Sequence, residues 1–157
     1  MKKRTIRILF WTFFILGIMM GYIIPGDLRF LIKKAQEKPL EAEIFDIPKK
    51  MGQLDLESDY FRYSVLAKTE TGAVELLRLD DSIPRHMHPK ENHFVYIYRG
   101  RAKGTIGDAP LEVMPGQMIA IPAGVSHSIE RVGDVPVEMI VFSTPSFTPQ
   151  HTVLLNK

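Results

Sequence analysis

At 157 residues, with 45% hydrophobic and 24% charged side chains, the chain has room for one ordinary core and an appendage, and its composition excludes both a disordered segment and a polytopic membrane protein. The net charge of +2 conceals a basic cluster at Lys2, Lys3, Arg4 and Arg7, but no basic stripe interleaved with aromatics follows, so no nucleic-acid partner is expected. There is no cysteine, which excludes a disulfide framework, a thiolate nucleophile, an iron–sulfur cluster and a Cys-type zinc site, and leaves His, Asp and Glu as the available metal ligands.

In chain order, the first predicted element is the uncharged run ILFWTFFILGIMMGYII from Ile8 to Ile24, closed by Pro25 and Gly26. A helix of that length just spans a hydrocarbon core of about 30 Å, so residues 1–26 are expected to form one N-terminal transmembrane helix. A cleaved signal peptide is the competing reading. It needs a small-x-small site, whereas the first alanine is Ala35, and Met19 and Ile24 stand two residues before Gly21 and Gly26. The basic N-terminus favours a cytoplasmic start, although Arg29, Lys33, Lys34 and Lys38 follow the run closely. The expected location is therefore the cytoplasmic membrane, single-pass, with the folded domain on the extracytoplasmic side. Residues 27–54 read as a membrane-proximal linker. Within it Leu28, Leu31, Ile32 and Ala35 recur at helical spacing, as in a surface-lying amphipathic helix or a stalk.

Residues 55–147 consist of short β-branched and aromatic runs punctuated by Gly, Pro and Asp, the pattern of an all-β antiparallel sandwich or barrel. Strands are predicted at 61–68, 73–79, 93–98, 102–106, 111–113, 118–121, 127–132 and 137–142. The turns between them are marked by Thr71-Gly72, Gly107-Asp108, Pro115-Gly116, Ala123-Gly124 and Gly133-Asp134. Residues 148–157 read as a C-terminal tail, with His151 on the surface and unpartnered.

Three of the five histidines fall within His86-Met-His-Pro-Lys-Glu-Asn-His93, and a fourth is His127. Alternate residues of a strand share a face, so His86 and His88 can aim both imidazoles at one point. A second segment, GQMIAIPAGVSH, uses Gly116, Pro122 and Gly124 to turn the chain so that His127 arrives on another strand. Together these segments resemble the two motifs of the cupin superfamily, G-x5-H-x-H-x(3,4)-E-x6-G and G-x5-P-x-G-x2-H-x3-N. His86, His88 and Gly100 fall in step with the first, and Gly116, Pro122, Gly124 and His127 with the second. The resemblance covers about residues 55 to 147 and implies a cupin-type double-stranded β-helix, or jelly-roll barrel, with one divalent transition metal inside its mouth.

Three positions depart from the motifs: His93 stands where the family's glutamate is usual, Asp80 replaces the opening glycine and Arg131 the closing asparagine. The expected metal ligands are thus His86, His88, His93 and His127, with Glu91 the alternative to His93 as fourth ligand. Imidazole donors argue against calcium and magnesium and for iron, manganese, nickel or zinc, with cobalt and copper also compatible. Four neutral ligands leave the ion's charge uncompensated, which would favour an anionic substrate. Arg85, Arg99, Arg101 and Lys103 are candidates to bind it, and Glu75 or Glu130 to act as a base or to orient a ligand histidine. Both faces of the strand at 93–98 are apolar or aromatic, so its outer face should be covered by a second subunit, in a homodimer, or by the segment Glu43 to Ile47. The expected function is metal-assisted chemistry on a small molecule, such as dioxygenation or isomerisation. A non-catalytic module that binds or senses a small ligand is the alternative.

Overall fold

The computed structural model describes residues 40–147 and 151–155. The chain divides after Lys38, and the apolar run from Ile8 to Ile24 and the stretch from Asp27 to Glu37 lie outside the described residues. Among the described residues, no helix is long and apolar enough to cross a membrane.

Among the described residues of the linker there is one short helix, α1 (Ile47–Met51). The Asp46 carboxylate accepts from the Lys49 N–H at 3.1 Å, Pro48 occupies the first turn, and Met51 is buried where α1 meets the sheet. The strands follow: β1 (Leu56–Glu57), β2 (Phe61–Lys68), β3 (Ala73–Leu79), β4 (Ser82–Met87), β5 (Asn92–Arg99), β6 (Arg101–Ile106), β7 (Ala109–Val113), β8 (Met118–Ile121), β9 (His127–Val132), β10 (Val137–Thr144) and β11 (Val153–Leu154). They form two antiparallel sheets, one ordered β1-β2-β3-β10-β5-β8 and the other β11-β4-β9-β6-β7. This is the all-β architecture expected, and each of the eight predicted strands is present within two residues of its predicted ends.

Period-two patterning sets which side chains meet. Along β5, His93, Val95 and Ile97 point into the space between the sheets, while Phe94, Tyr96 and Tyr98 point out. Leu79, Ile97, Ala102 and Val137 are fully buried, and pack one end of the barrel where β3 finishes and β10 begins. Burial of each large aliphatic side chain is worth roughly 1.5–3 kcal/mol. Gly100 makes the β5–β6 turn at φ +79°, with its Cα so close to β10 that a Cβ would come 2.4 Å from the Pro136 carbonyl oxygen.

Strand β4 carries His86, as the His-x-His alternation requires, but it is not among the eight predicted runs and ends before His88. Pro84 interrupts it, and its register against β9 shifts between Ile83 and His86, so the alternation that would reveal a strand is broken. The last two residues of motif-like departure prove to be partners: Arg131 Nε donates to the Asp80 carbonyl at 2.7 Å, and the Asp80 carboxylate takes Arg62 and Arg78.

Candidate metal centre

Four histidines meet at the other end of the barrel, and all four are buried. His86 near the end of β4 and His127 at the start of β9 are directly opposed across the ladder, with ring centroids 4.1 Å apart. His88 lies just past β4. Its carbonyl accepts from the Gly124 N–H at 2.8 Å, which ties the turn before β9 to the backbone after β4. His93, the second residue of β5, stacks on His88 with centroids 4.1 Å apart and planes 26° apart.

Tautomers follow from the partners. His86 Nδ1 lies 2.8 Å from the Pro84 carbonyl and His127 Nδ1 lies 3.0 Å from the Val125 carbonyl, and a carbonyl can only accept. Both Nδ1 atoms therefore carry the proton, leaving Nε2 with a lone pair, the arrangement found around ligating histidines. Burial, reinforced by the neighbouring rings, pushes His88 down to about 2 and His93 and His127 down to about 4. Burial also lowers His86. At neutral pH the cluster is four uncharged bases.

A divalent transition ion fits three of these histidines, His86, His88 and His127. The ligand atoms of His86, His88 and His127 all lie within 4.8 Å of one another. Two nitrogens bound at about 2.1 Å to one ion stand at most ~4.2 Å apart, so atoms within 4.8 Å of one another are close to the spacing an ion requires. The Nε2 of His93 is buried without a hydrogen-bond partner among the described residues, the condition a ligand nitrogen would relieve. The alternative fourth ligand, Glu91, 2% exposed, accepts from His151 Nδ1 at 2.8 Å through Oε1, while its Oε2 is likewise buried without a partner among the described residues.

The cluster opens on a cavity of about 120 Å³. Its wall includes Leu77, Val95, Ile119, Ile129, Met139 and Val141, with Phe147 set edge-on to His88 and His93. Of the two candidate bases, Glu75 lines the cavity and is buried, and burial raises its carboxyl to about 7 against the opposing pull of Lys68. Glu130 is exposed and paired with Lys103 at 3.2 Å. The four basic candidates do not line the cavity. Arg85 binds Asp108 and Ser126, Arg101 binds Glu112 at 2.6 Å, and Arg99 reaches Glu138 at 4.0 Å. Each of them instead finds an acidic partner, as strand charges commonly do, and Glu138 is the buried one among those partners.

Sequence reasoning also missed His151, Thr152 and Phe147. His151 was read as unpartnered, but it meets Glu91. The apolar residues after it, Val153 and Leu154, were the signal that the tail could add a strand.

Comparison with known proteins agrees with this architecture. The Cupin_2 family, described as a cupin domain, matches residues 74–143. The uncharacterized protein MJ1618 of Methanocaldococcus jannaschii is 33% identical over 70 residues, covering 45% of this chain and 56% of that protein. Across the curated relatives, the match spans between 46% and 64% of their length. Among solved structures, an uncharacterized conserved protein with a double-stranded β-helix domain from Klebsiella pneumoniae superposes with a TM-score of 0.60 at 18% identity, covering 74% of this chain and all of that one. PAC13 of Streptomyces, a nucleoside dehydratase solved with uridine, superposes with a TM-score of 0.57 at 11% identity, covering 64% of this chain and 82% of that one. The matched region contains both histidine-bearing segments, and the two-sheet barrel around them is similar to the double-stranded β-helix of these solved structures.

Proposed function

We propose that this chain is a membrane-tethered, metal-dependent cupin that takes a small, largely apolar, oxygen-bearing molecule into its barrel and acts on it by metal-assisted chemistry such as dioxygenation or isomerisation. The observation that carries this reading is the meeting of three neutral imidazoles, His86, His88 and His127, at the polar end of an apolar cavity, with a fourth, His93, stacked on His88 and its buried Nε2 unpartnered among the described residues. His86, His88, His93 and His127 would hold the ion, which supplies Lewis acidity toward a ligand oxygen. Iron, manganese, nickel and zinc all suit such a donor set.

The remaining work falls to the chain itself. The aliphatic wall and Phe147 exclude water and select an apolar body. Cavities of roughly 150 Å³ hold a benzene-sized molecule, so about 120 Å³ suits a single ring or a short branched chain. A small-molecule occupant is in keeping with the uridine bound by the Streptomyces protein. Glu75 is poised to hold or accept a proton at neutral pH, where its raised carboxyl titrates.

Elemental analysis of the full chain, purified without chelator, beside His86→Ala and His93→Ala tests the centre. About one equivalent of a transition metal, lost in both variants, is expected. A parent that takes up no metal after reconstitution would overturn the proposal. The tether, assigned to the run from Ile8 to Ile24, is tested separately. Because the chain has no cysteine, one introduced at exposed Asp108 should react in intact cells with a membrane-impermeant thiol reagent. Full protection of that cysteine would refute the extracytoplasmic placement.

A further inference from the structure

The residues 151–155 return to the barrel mouth. Val153 pairs with Met87 and Leu154 with His86, and the Leu155 N–H donates to the Arg85 carbonyl at 2.9 Å. Strand β11 is therefore laid directly against the backbone that presents His86 and leads to His88. Thr152 and Leu154 line the cavity.

The pairing places two side chains on the site. Thr152 Oγ1 lies 3.4 Å from His88 Nδ1. His151 Nδ1 lies 2.8 Å from Glu91 Oε1, and since a carboxylate only accepts, the imidazole donates. The other oxygen, Glu91 Oε2, is buried with no hydrogen-bond partner among the described residues. A carboxylate in that state is held by few partners and would gain strongly from a nearby cation.

We propose that His151 and Thr152 are positioning residues of the metal centre and that His151 sets its donor composition. Thr152 fixes the His88 ring with Nδ1 as the protonated nitrogen, which directs Nε2 to the cluster. His151 occupies the Glu91 carboxylate, which leaves the fourth ligand place to His93. Without His151, Glu91 competes for the ion, and a neutral four-histidine set becomes one with a negative ligand. This inference rests on the metal-centre reading above.

The test uses the full chain and cobalt(II) alone as probe. His151→Ala and Thr152→Val should release cobalt into excess chelator about tenfold faster than the parent, the low end of what lost support of a ligand costs. Thr152→Ser and His151→Gln, which retain a hydroxyl and an N–H donor, should release it at nearly the parent rate. His151→Ala should also change the visible cobalt spectrum as a carboxylate enters, and Glu91→Gln on top of it should restore the parent spectrum. Parent-like release and spectra in both His151→Ala and Thr152→Val would overturn the proposal. Imidazole ¹⁵N shifts of the metal-free chain separate its failure from that of the metal reading. If the parent takes no cobalt, the metal reading and the donor-setting role of His151 fall together. A His88 that is one tautomer in the parent and a mixture in Thr152→Val would still sustain the role of Thr152, and an unchanged tautomer would end it.

Discussion

The two faces of the six-stranded sheet are built from the same strands and are similarly apolar, yet they have opposite fates. Along β5 the inward set is His93, Val95 and Ile97, all buried, while the outward set begins with Phe94 at 39% exposure. On β10, Met139, Val141 and Ser143 are buried inward and Phe142 faces out at 38% exposure. Strand alternation decides only which residues share a face. What the face meets decides whether an apolar side chain stabilises the fold, and the inward face alone meets a second sheet. The inward face is itself divided: aliphatic packing at one end supports a cluster of buried polar groups at the other, and that cluster costs stability until something binds it.

The largest effect should come from the packed end. Ile97 is fully buried, so Ile97→Ala should cost about 2–5 kcal/mol in denaturant unfolding, through lost transfer energy and the cavity left behind. A loss under about 1 kcal/mol would mean that the barrel end is loosely packed and the division of the inward face is wrong. Next is removal of metal. An ion present at a hundredfold its dissociation constant contributes about 2.7 kcal/mol, so chelation should lower Tm by on the order of 10 °C. The same treatment should leave His93→Ala nearly unmoved. Equal shifts in the two proteins would separate the ion from this cluster.

How much of this division was legible in the sequence differs from strand to strand. β2, β3, β8 and β9 were bounded correctly because each run is followed within four residues by a Gly, Pro or Asp that turns the chain. β4 was not, because Pro84 and a register shift remove the very signal that marks a strand. The histidines were legible from their spacing, since the backbone of two adjacent strands brings them together. The contacts of His151 with Glu91 and Thr152 with His88 link positions 60 and 64 residues apart, through a two-residue strand whose pairing no local pattern specifies. The partners of the basic residues were hidden for a related reason. Arg85, Arg101 and Lys103 find exposed acidic partners across the strands, and sequence order does not reveal which residue lies opposite which.

A smaller effect is expected at Glu75, whose carboxyl is raised from 4.5 to about 7 by burial. Below pH 4.5 both folded and unfolded chains hold the proton, and the group is neutral in the balance. As pH rises from 4.5 to 7 the unfolded chain releases it while the folded chain retains it, so stability falls and the full penalty is present above 7. Glu75→Gln should therefore be more stable than the parent above pH 7, by roughly 1–3 kcal/mol, with the advantage fading toward pH 4.5. A pH-independent difference would place the carboxyl in contact with solvent or with a cation. The same variant should lose turnover while keeping metal if Glu75 handles a proton.

The smallest effect on the monomer, and the sharpest on association, should come from the outward face. Phe94 and Phe142 pair directly across β5 and β10, and beside them Tyr96 pairs with both Met118 and Ile140, which makes a contiguous apolar surface. In the segment from Glu43 to Ile47, the other candidate cover, Ile44 is 98% exposed while Phe45 and Ile47 are half-buried. We propose that a second copy of the chain covers this face. Phe94 and Phe142 are 39% and 38% exposed, so replacing both with Ser removes only part of a full side-chain burial and should cost on the order of 1 kcal/mol per site in unfolding. Sedimentation of the parent should report a dimer and that of the double variant a monomer. A parent that sediments as a clean monomer would leave the outward face bare and confine the role of the sheet to its inner side.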